Sequence, residues 1–205
     1  MVFVAHHGGP TALSGFQEWY LRGGKRGLDI VLTLVLMPIW LPLSLFLWGL
    51  ALLETGSGGY VDLRVGRHGQ MFKCLKIRTL HRNVSRRCAA EKVVLDSCAT
   101  PIGRFLRRSS LDELPQFWCV LKGEMSLVGP RPVPEMELKR YGAQRSAYLQ
   151  MRPGLSGLWQ VSGRNDLAYS KRVALDVEYA RSVSVTRDLK IIVATILEIF
   201  RLSGR

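Results

Sequence analysis

The sequence is short of acid: 16 Asp and Glu stand against 29 Lys and Arg in 205 residues, a formal net charge of +13. That imbalance points to nucleic acid, an anionic membrane surface or phosphorylated ligands as partners. Cysteine is scarce too. The four, at 74, 88, 98 and 119, form no C-x-x-C pair and no zinc-finger spacing, which excludes a zinc ribbon or a dense disulfide scaffold. Four free thiols in a reducing compartment are expected. Several catalytic signatures are missing. Without G-x-x-x-x-G-K-[ST] there is no P-loop, and without G-x-G-x-x-G no dinucleotide fingerprint. H-E-x-x-H and G-x-S-x-G are absent, as is the Asp-x-Asp pair of many metal-dependent glycosyltransferases. No repeat at solenoid period occurs. Long apolar runs are also lacking, with one exception, so a multi-span transporter is excluded.

The exception is Ile30–Leu53, 24 residues without a charge. As a helix rising about 1.5 Å per residue it could cross a hydrocarbon core of about 30 Å, so a single transmembrane span is the plain reading. Two features favour a re-entrant helix instead. Pro38 and Pro42 lie near the middle, where each removes a backbone donor and bends a helix. Both flanks are basic as well: Arg22, Lys25 and Arg26 precede the run, and Arg64, Arg67, Lys73, Lys76 and Arg78 follow it. A spanning helix would concentrate its basic residues on the cytoplasmic side. A helix that enters one leaflet, breaks at Pro38 and Pro42 and returns accounts for both. Residues 60–110 carry twelve basic and three acidic side chains, so the charge is densest just after the membrane segment, where it suits lipid head groups or phosphorylated ligands.

The remaining pattern predicts an α+β fold, mainly helical. Residues 1–21 read as a lead-in, 22–58 as the re-entrant helix and its exit turn, and 59–205 as a cytoplasmic domain. Tyr60–Val65 and Met71–Thr79 alternate around Gly66–Gly69, a β-hairpin signature. Helices are expected over 82–100, from Ser109 to about Val120, and over 135–151, 166–181 and 188–202, with loops at 122–134 and 152–164. The last helix reads as a core helix or as an amphipathic helix lying on the membrane.

Ser109-Ser110-Leu111-Asp112-Glu113-Leu114-Pro115 admits two readings. Ser110 and Glu113 fit the S-x-x-E capping box, and two acids in a first turn suit the helix dipole. Alternatively, an ionised Asp112 beside Arg107 and Arg108 could attack phosphorus while Glu113 holds Mg²⁺ on phosphate oxygens. Three loop motifs present arginine in the way phosphate binding needs: Gly129-Pro130-Arg131-Pro132, Arg152-Pro153-Gly154-Leu155-Ser156-Gly157 and Gly163-Arg164-Asn165.

Taken together, KRGLDIVLTLVLMPIWLPL, FKCLKIRTL, SSLDELPQFWCVLKGEMSLVGPRP, RPGLSGLWQVSGRN and LDVEYA resemble, in order, the bacterial sugar transferase family of monotopic phosphoglycosyl transferases, over roughly residues 22–204. The resemblance implies transfer of a sugar-1-phosphate from a UDP-sugar to a polyprenol phosphate such as undecaprenyl phosphate, with release of UMP, at the first membrane step of polysaccharide or glycoconjugate synthesis. It implies a covalent two-step route with Mg²⁺, Asp112 as nucleophile and Glu113 as metal ligand. Lys76, Arg107, Arg131, Arg152 and Arg164 fall on basic positions that would hold phosphates or the nucleotide. It implies a re-entrant helix at the cytoplasmic face of the bacterial inner membrane, in contact with lipid and open to homodimer formation, with no nucleic-acid partner. The family breaks that helix at a Ser-Pro step. Here Leu41 stands before Pro42 and Pro38 is additional, leaving Ser44 and Thr33 as stand-ins for the serine. The length matches a minimal catalytic form without the extra spans of larger relatives. From another class, the rival is a membrane-tethered basic protein that binds nucleic acid or serves as a scaffold.

Overall fold

The computed structural model describes residues 19–81 and 98–200. His6 and His7, most of the helix expected over 82–100 and the last five residues lie outside the described residues. The fold is mainly helical with two small sheets, within the α+β class.

The described residues are helical from Trp19, inside the segment expected as a lead-in. A π-helical turn, Tyr20–Gly24, runs into α1, Lys25–Thr55. Gly56 ends α1 at φ 73, a left-handed cap that glycine adopts at no steric cost. Among the described residues, this is the one helix long and apolar enough to cross a membrane, by length and composition.

α1 continues through Pro38 and Pro42, so the expected break is not a loss of helix. Each proline still removes a donor, from the carbonyls of Leu34 and Pro38 respectively. On the turn ahead of Pro38, the Trp40 indole N–H donates to the Thr33 carbonyl at 3.0 Å. The hydroxyls of Thr33 and Ser44, the expected stand-ins for a capping serine, are buried and make no hydrogen bond. The Trp40 bond goes to the Thr33 carbonyl, one residue before the first freed carbonyl, and does not replace a capping serine.

One face of α1 is exposed and apolar, including Val31, Val35, Ile39, Leu45, Phe46 and Leu53. Its other face docks along the rest of the protein. Lys25 pairs with Asp188 at 2.5 Å, and Asp29 accepts the Leu127 N–H at 2.9 Å. Trp40 stacks on Phe117 at 5.4 Å between ring centroids. Leu47 and Ala51 pack with Ile77 and Leu106, and Glu54 accepts the Ile102 N–H at 3.4 Å. Both ends of α1 therefore rest on one body.

That body starts with the expected hairpin, β1 (Gly59–Val65) antiparallel to β2 (Met71–Ile77). Pairing sets Tyr60, Asp62 and Arg64 opposite Lys76, Cys74 and Phe72, on the inward face. α2 (Pro101–Ser109) is capped by Thr100, whose hydroxyl accepts the Gly103 N–H at 2.8 Å. The single helix expected from Ser109 is instead a 3₁₀ turn, Leu111–Gln116, followed by α3, Phe117–Lys122. Pro115, which has no N–H to give, lies inside that turn.

A second sheet was not anticipated. β3 (Ser126–Val128) and β4 (Gly154–Ser156) pair in parallel, within segments expected as loops. The close approach requires glycine: a Cβ on Gly154 would lie 2.1 Å from the Gly129 nitrogen. α4 (Glu135–Leu138) and α5 (Arg145–Leu149) flank a 3₁₀ segment in which Gly142, at φ 51, interrupts the helix expected over 135–151. α6 (Leu158–Val161), α7 (Tyr169–Arg181) and α8 (Val185–Phe200) complete the chain. α8 buries Ile191 and leaves Leu189, Val193, Ile196 and Leu197 exposed.

The main core joins Tyr20, Phe72, Val120, Met125, Tyr179 and Ile191, drawn from α1's lead turn, β2, α3, the β3 region, α7 and α8. Cys74 and Cys119 are buried free thiols. Cys98 is disulfide-bonded, which corrects the expectation of four free cysteines. Spacing along the chain carries no information on which sulfurs the fold brings within bonding distance.

Candidate active site

Asp112 and Glu113 head the 3₁₀ turn between α2 and α3. Ser110, left-handed at φ 58 and ψ 18, turns the chain out of α2 and into it. A non-glycine residue in that conformation costs about 1 kcal/mol, a strain concentrated where the acids are aimed. In 3₁₀ geometry neighbouring side chains diverge by about 120°, so the two carboxylates leave the backbone in different directions. The capping box does not form. Ser110 makes no side-chain cap, and Glu113 turns instead to cations.

Lys76, from the inward face of β2, donates to Glu113 Oε1 at 2.6 Å. Arg131 approaches the same oxygen at 3.6 Å. Both contacts fall on Oε1, and among the described residues no hydrogen bond or ion pair engages Oε2. The Gly129–Pro132 loop that presents Arg131 is held from two sides. The Gly154 N–H donates to the Pro130 carbonyl at 2.8 Å, and Arg64 donates to the Pro132 carbonyl at 3.0 Å. Trp159 lies under the Arg131 guanidinium at 6.0 Å and under that of Arg172 at 4.8 Å, a cation–π column behind the site.

The two acids differ electrostatically. Burial works against both charges. For Asp112 burial prevails, aided by the negative charge of Glu113, and its carboxyl is raised to about 6 despite Lys76, Arg107 and Arg131. For Glu113 burial is overcome by Lys76 and Arg131, with Arg64 adding to them, and the carboxyl falls to about 2. Glu113 is thus firmly ionised, and Asp112 is a more basic carboxylate that is still mostly ionised at neutral pH.

The structure gathers Lys76, Arg107 and Arg131 around the pair. Arg152 and Arg164 are not among the leading charges on either acid. Arg152 donates to the Gly123 carbonyl at 2.9 Å, beyond the far end of α3, and Arg164 to the Gln160 carbonyl at 3.1 Å. Arg64 was missed as a site residue. The signal was available in the hairpin alternation, which puts it on the same sheet face as Lys76. Pro38 and Pro42 lie on α1, whose C-terminal half packs against Leu111 and Leu114 of the acidic turn.

The family model for bacterial sugar transferases matches residues 20–202. The chain belongs to the bacterial sugar transferase family. An undecaprenyl-phosphate galactose phosphotransferase of Salmonella typhimurium is 40% identical over 88% of this chain and 41% of its own length. An exopolysaccharide production protein of Sinorhizobium fredii, ExoY, is 42% identical over 84% of this chain and 83% of its own. A UDP-glucose:undecaprenyl-phosphate glucose-1-phosphate transferase of Caulobacter vibrioides is 40% identical over 84% of this chain and 68% of its own. The chain therefore spans under half of the Salmonella relative and most of the Sinorhizobium one.

A magnesium ion is the cofactor expected from the sequence. No cluster of three or more His, Cys, Asp or Glu that could hold a metal occurs among the described residues. The donor set still fits Mg²⁺, which commonly takes one or two carboxylates and completes its shell with water and substrate phosphate. Glu113 offers an ionised carboxylate with one uncommitted oxygen. Its other oxygen is already neutralised by two cations, so the fit calls for a phosphorylated substrate to bring further negative charge.

Proposed function

We propose that this chain transfers a sugar-1-phosphate from a UDP-sugar to a polyprenol phosphate, with UMP as leaving group. The observation that carries the reading is the Asp112–Glu113 pair, one carboxyl raised and one lowered, set among Lys76, Arg107 and Arg131 against an apolar helix. The names of the Salmonella and Caulobacter relatives support the substrate class.

In the first step an Asp112 carboxylate oxygen attacks the sugar-bearing phosphorus. The bond from that phosphorus to the bridging oxygen breaks, UMP departs with the electron pair, and a sugar phosphate remains esterified to Asp112. In the second step a phosphate oxygen of the polyprenol phosphate attacks the same phosphorus and displaces the Asp112 carboxylate. No proton needs to move in either step. Lys76, Arg107 and Arg131 bind and orient the phosphates and offset the charge that builds on their oxygens. Glu113, with Asp112 beside it, would hold Mg²⁺, which when bound supplies Lewis-acid neutralisation of phosphate charge.

We place α1 in one leaflet, at the cytoplasmic face of the inner membrane. Its exposed face suits lipid, and its two ends dock on the same body.

The decisive variant is Asp112→Asn. It should abolish UMP release, and intact mass of the wild type with UDP-sugar alone should show a sugar-phosphate adduct that the variant lacks. Full activity in Asp112→Asn, or an adduct elsewhere, would overturn the nucleophile assignment.

A further inference from the structure

A second group of guanidiniums lies at the opposite end of α3 from the acids. Arg26, in the first turn of α1, donates through its two terminal nitrogens to the carbonyls of Val120 and Leu121. Arg152 donates through Nε to the Gly123 carbonyl at 2.9 Å. Arg67, on the hairpin turn, donates through Nε to the Gln150 carbonyl at 3.0 Å. Gly123 ends α3 in a left-handed cap at φ 83, and an Arg26 terminal nitrogen lies beside it.

The carbonyls at a helix C-terminus explain why one cation should sit here. Such carbonyls accept a bond from each of the three, Arg67 at the end of α5, but supply no full countercharge. Among the described residues, no carboxylate pairs with Arg26, Arg67 or Arg152. The charges disfavour one another: burial lowers the Arg152 guanidinium, and the charges of Arg67 and Arg26 lower it further. The acid that eases it, Asp29, is buried and committed to the Leu127 N–H. Among the described residues, the terminal nitrogens of Arg67 and Arg152 have no acceptor, and they are not sealed from solvent. The forks of Arg67 and Arg152 thus keep N–H groups for a phosphate, and Arg26, held on its carbonyls, adds a third positive charge beside them.

Position narrows the ligand. Arg26 comes four residues before the uncharged run that begins at Ile30. On that side of the protein, Trp19 and Leu21 are exposed as well. We propose that Arg26, Arg67 and Arg152 form a second phosphate-ester site, at the level of the lipid head groups and apart from the Asp112–Glu113 pair. It stands whether or not the transfer reading does, because it concerns binding alone. The shared chemistry is a phosphate group, and its source is an anionic phospholipid or a soluble phosphate.

Calorimetric titration of the full chain in a neutral maltoside detergent tests it, with inorganic phosphate in one arm and short-chain phosphatidylglycerol below its micellar limit in the other. Chloride at matched ionic strength controls for screening. Binding in at least one arm is expected. It should weaken about tenfold or more in Arg67→Gln and in Arg152→Gln, and persist in Arg131→Gln. Arg67 is exposed, so that variant keeps the fold readable if Arg152→Gln misfolds. Saturating phosphate should raise the wild-type unfolding midpoint by about 3–5 °C at ten times its Kd. Binding in the lipid arm alone assigns the site to head groups, and binding in both assigns it to phosphate esters generally. Absence of binding in both arms overturns the proposal. So does binding that survives Arg67→Gln and Arg152→Gln but is lost in Arg131→Gln, which would put the anion in the acidic turn's own cradle.

Discussion

Asp112 and Glu113 are neighbours in sequence with opposite electrostatic circumstances, and stability should report the difference. Glu113, lowered to about 2, stabilises the fold above its unfolded value near 4.5, and that contribution is lost as pH falls through the folded value. Glu113→Gln should therefore cost about 2 kcal/mol at pH 7.5 and progressively less toward pH 3, measured by thermal or denaturant unfolding. Asp112, raised to about 6, has the reverse sign: its charge destabilises the fold above pH 6 and not below about 4. Asp112→Asn should raise the unfolding midpoint at pH 7.5, with the gain vanishing by pH 4. A fall in both variants at neutral pH would mean that the acids act only as helix-start residues. If Asp112 is the proposed nucleophile it must be ionised to attack, so kcat/KM for the proposed UDP-sugar should drop tenfold per pH unit below about 6. A profile flat from pH 5 to 7 would contradict that role.

At the scale of elements, the fastening of α1 rests on a buried knot. Asp188, 1% exposed, accepts the Tyr20 hydroxyl at 2.6 Å, the Tyr179 hydroxyl at 2.7 Å and the Lys25 ammonium at 2.5 Å. Stripping the acid leaves a buried lysine and two buried hydroxyls without their acceptor. Asp188→Ala should cost about 3–5 kcal/mol and release the start of α1, seen as faster amide exchange there and a lower unfolding midpoint. Loss under 1 kcal/mol would show that α1 is held by apolar packing alone. This knot was not legible in the sequence, because its members lie up to 168 positions apart. What was legible shares a short range. The hairpin alternates over seven residues a strand, α1 and α8 show sustained apolar patterning, and the acidic turn stood out by its neighbours. β3 and β4, three residues each, are too short for any periodicity to register. The helix expected over 135–151 failed at Gly142, a residue whose positive φ only the fold reveals. Of the five basic residues drawn to the site by motif, Lys76, Arg107 and Arg131 meet the acids. Arg152 and Arg164 are directed to backbone carbonyls by β4 and α6, elements whose placement is not written locally.

For the molecule as a whole, the docking of both ends of α1 constrains its orientation in a bilayer. If α1 crossed the membrane, one of those ends would have to leave the body it rests on. Single cysteines placed at Leu21 and at Val61 in an otherwise thiol-free chain should both resist an impermeant maleimide in intact cells and react after lysis. Labelling of one alone would show a span. In the proposed one-leaflet placement, the exposed face of α1 would also set how deep the acidic turn rides, because Leu111 and Leu114 are packed on that helix. A catalyst so fixed would meet the proposed polyprenol phosphate by diffusion in a plane. Its turnover would then follow the number of polyprenol phosphates per unit of membrane area, and adding inert lipid at constant bulk concentration would slow it in proportion.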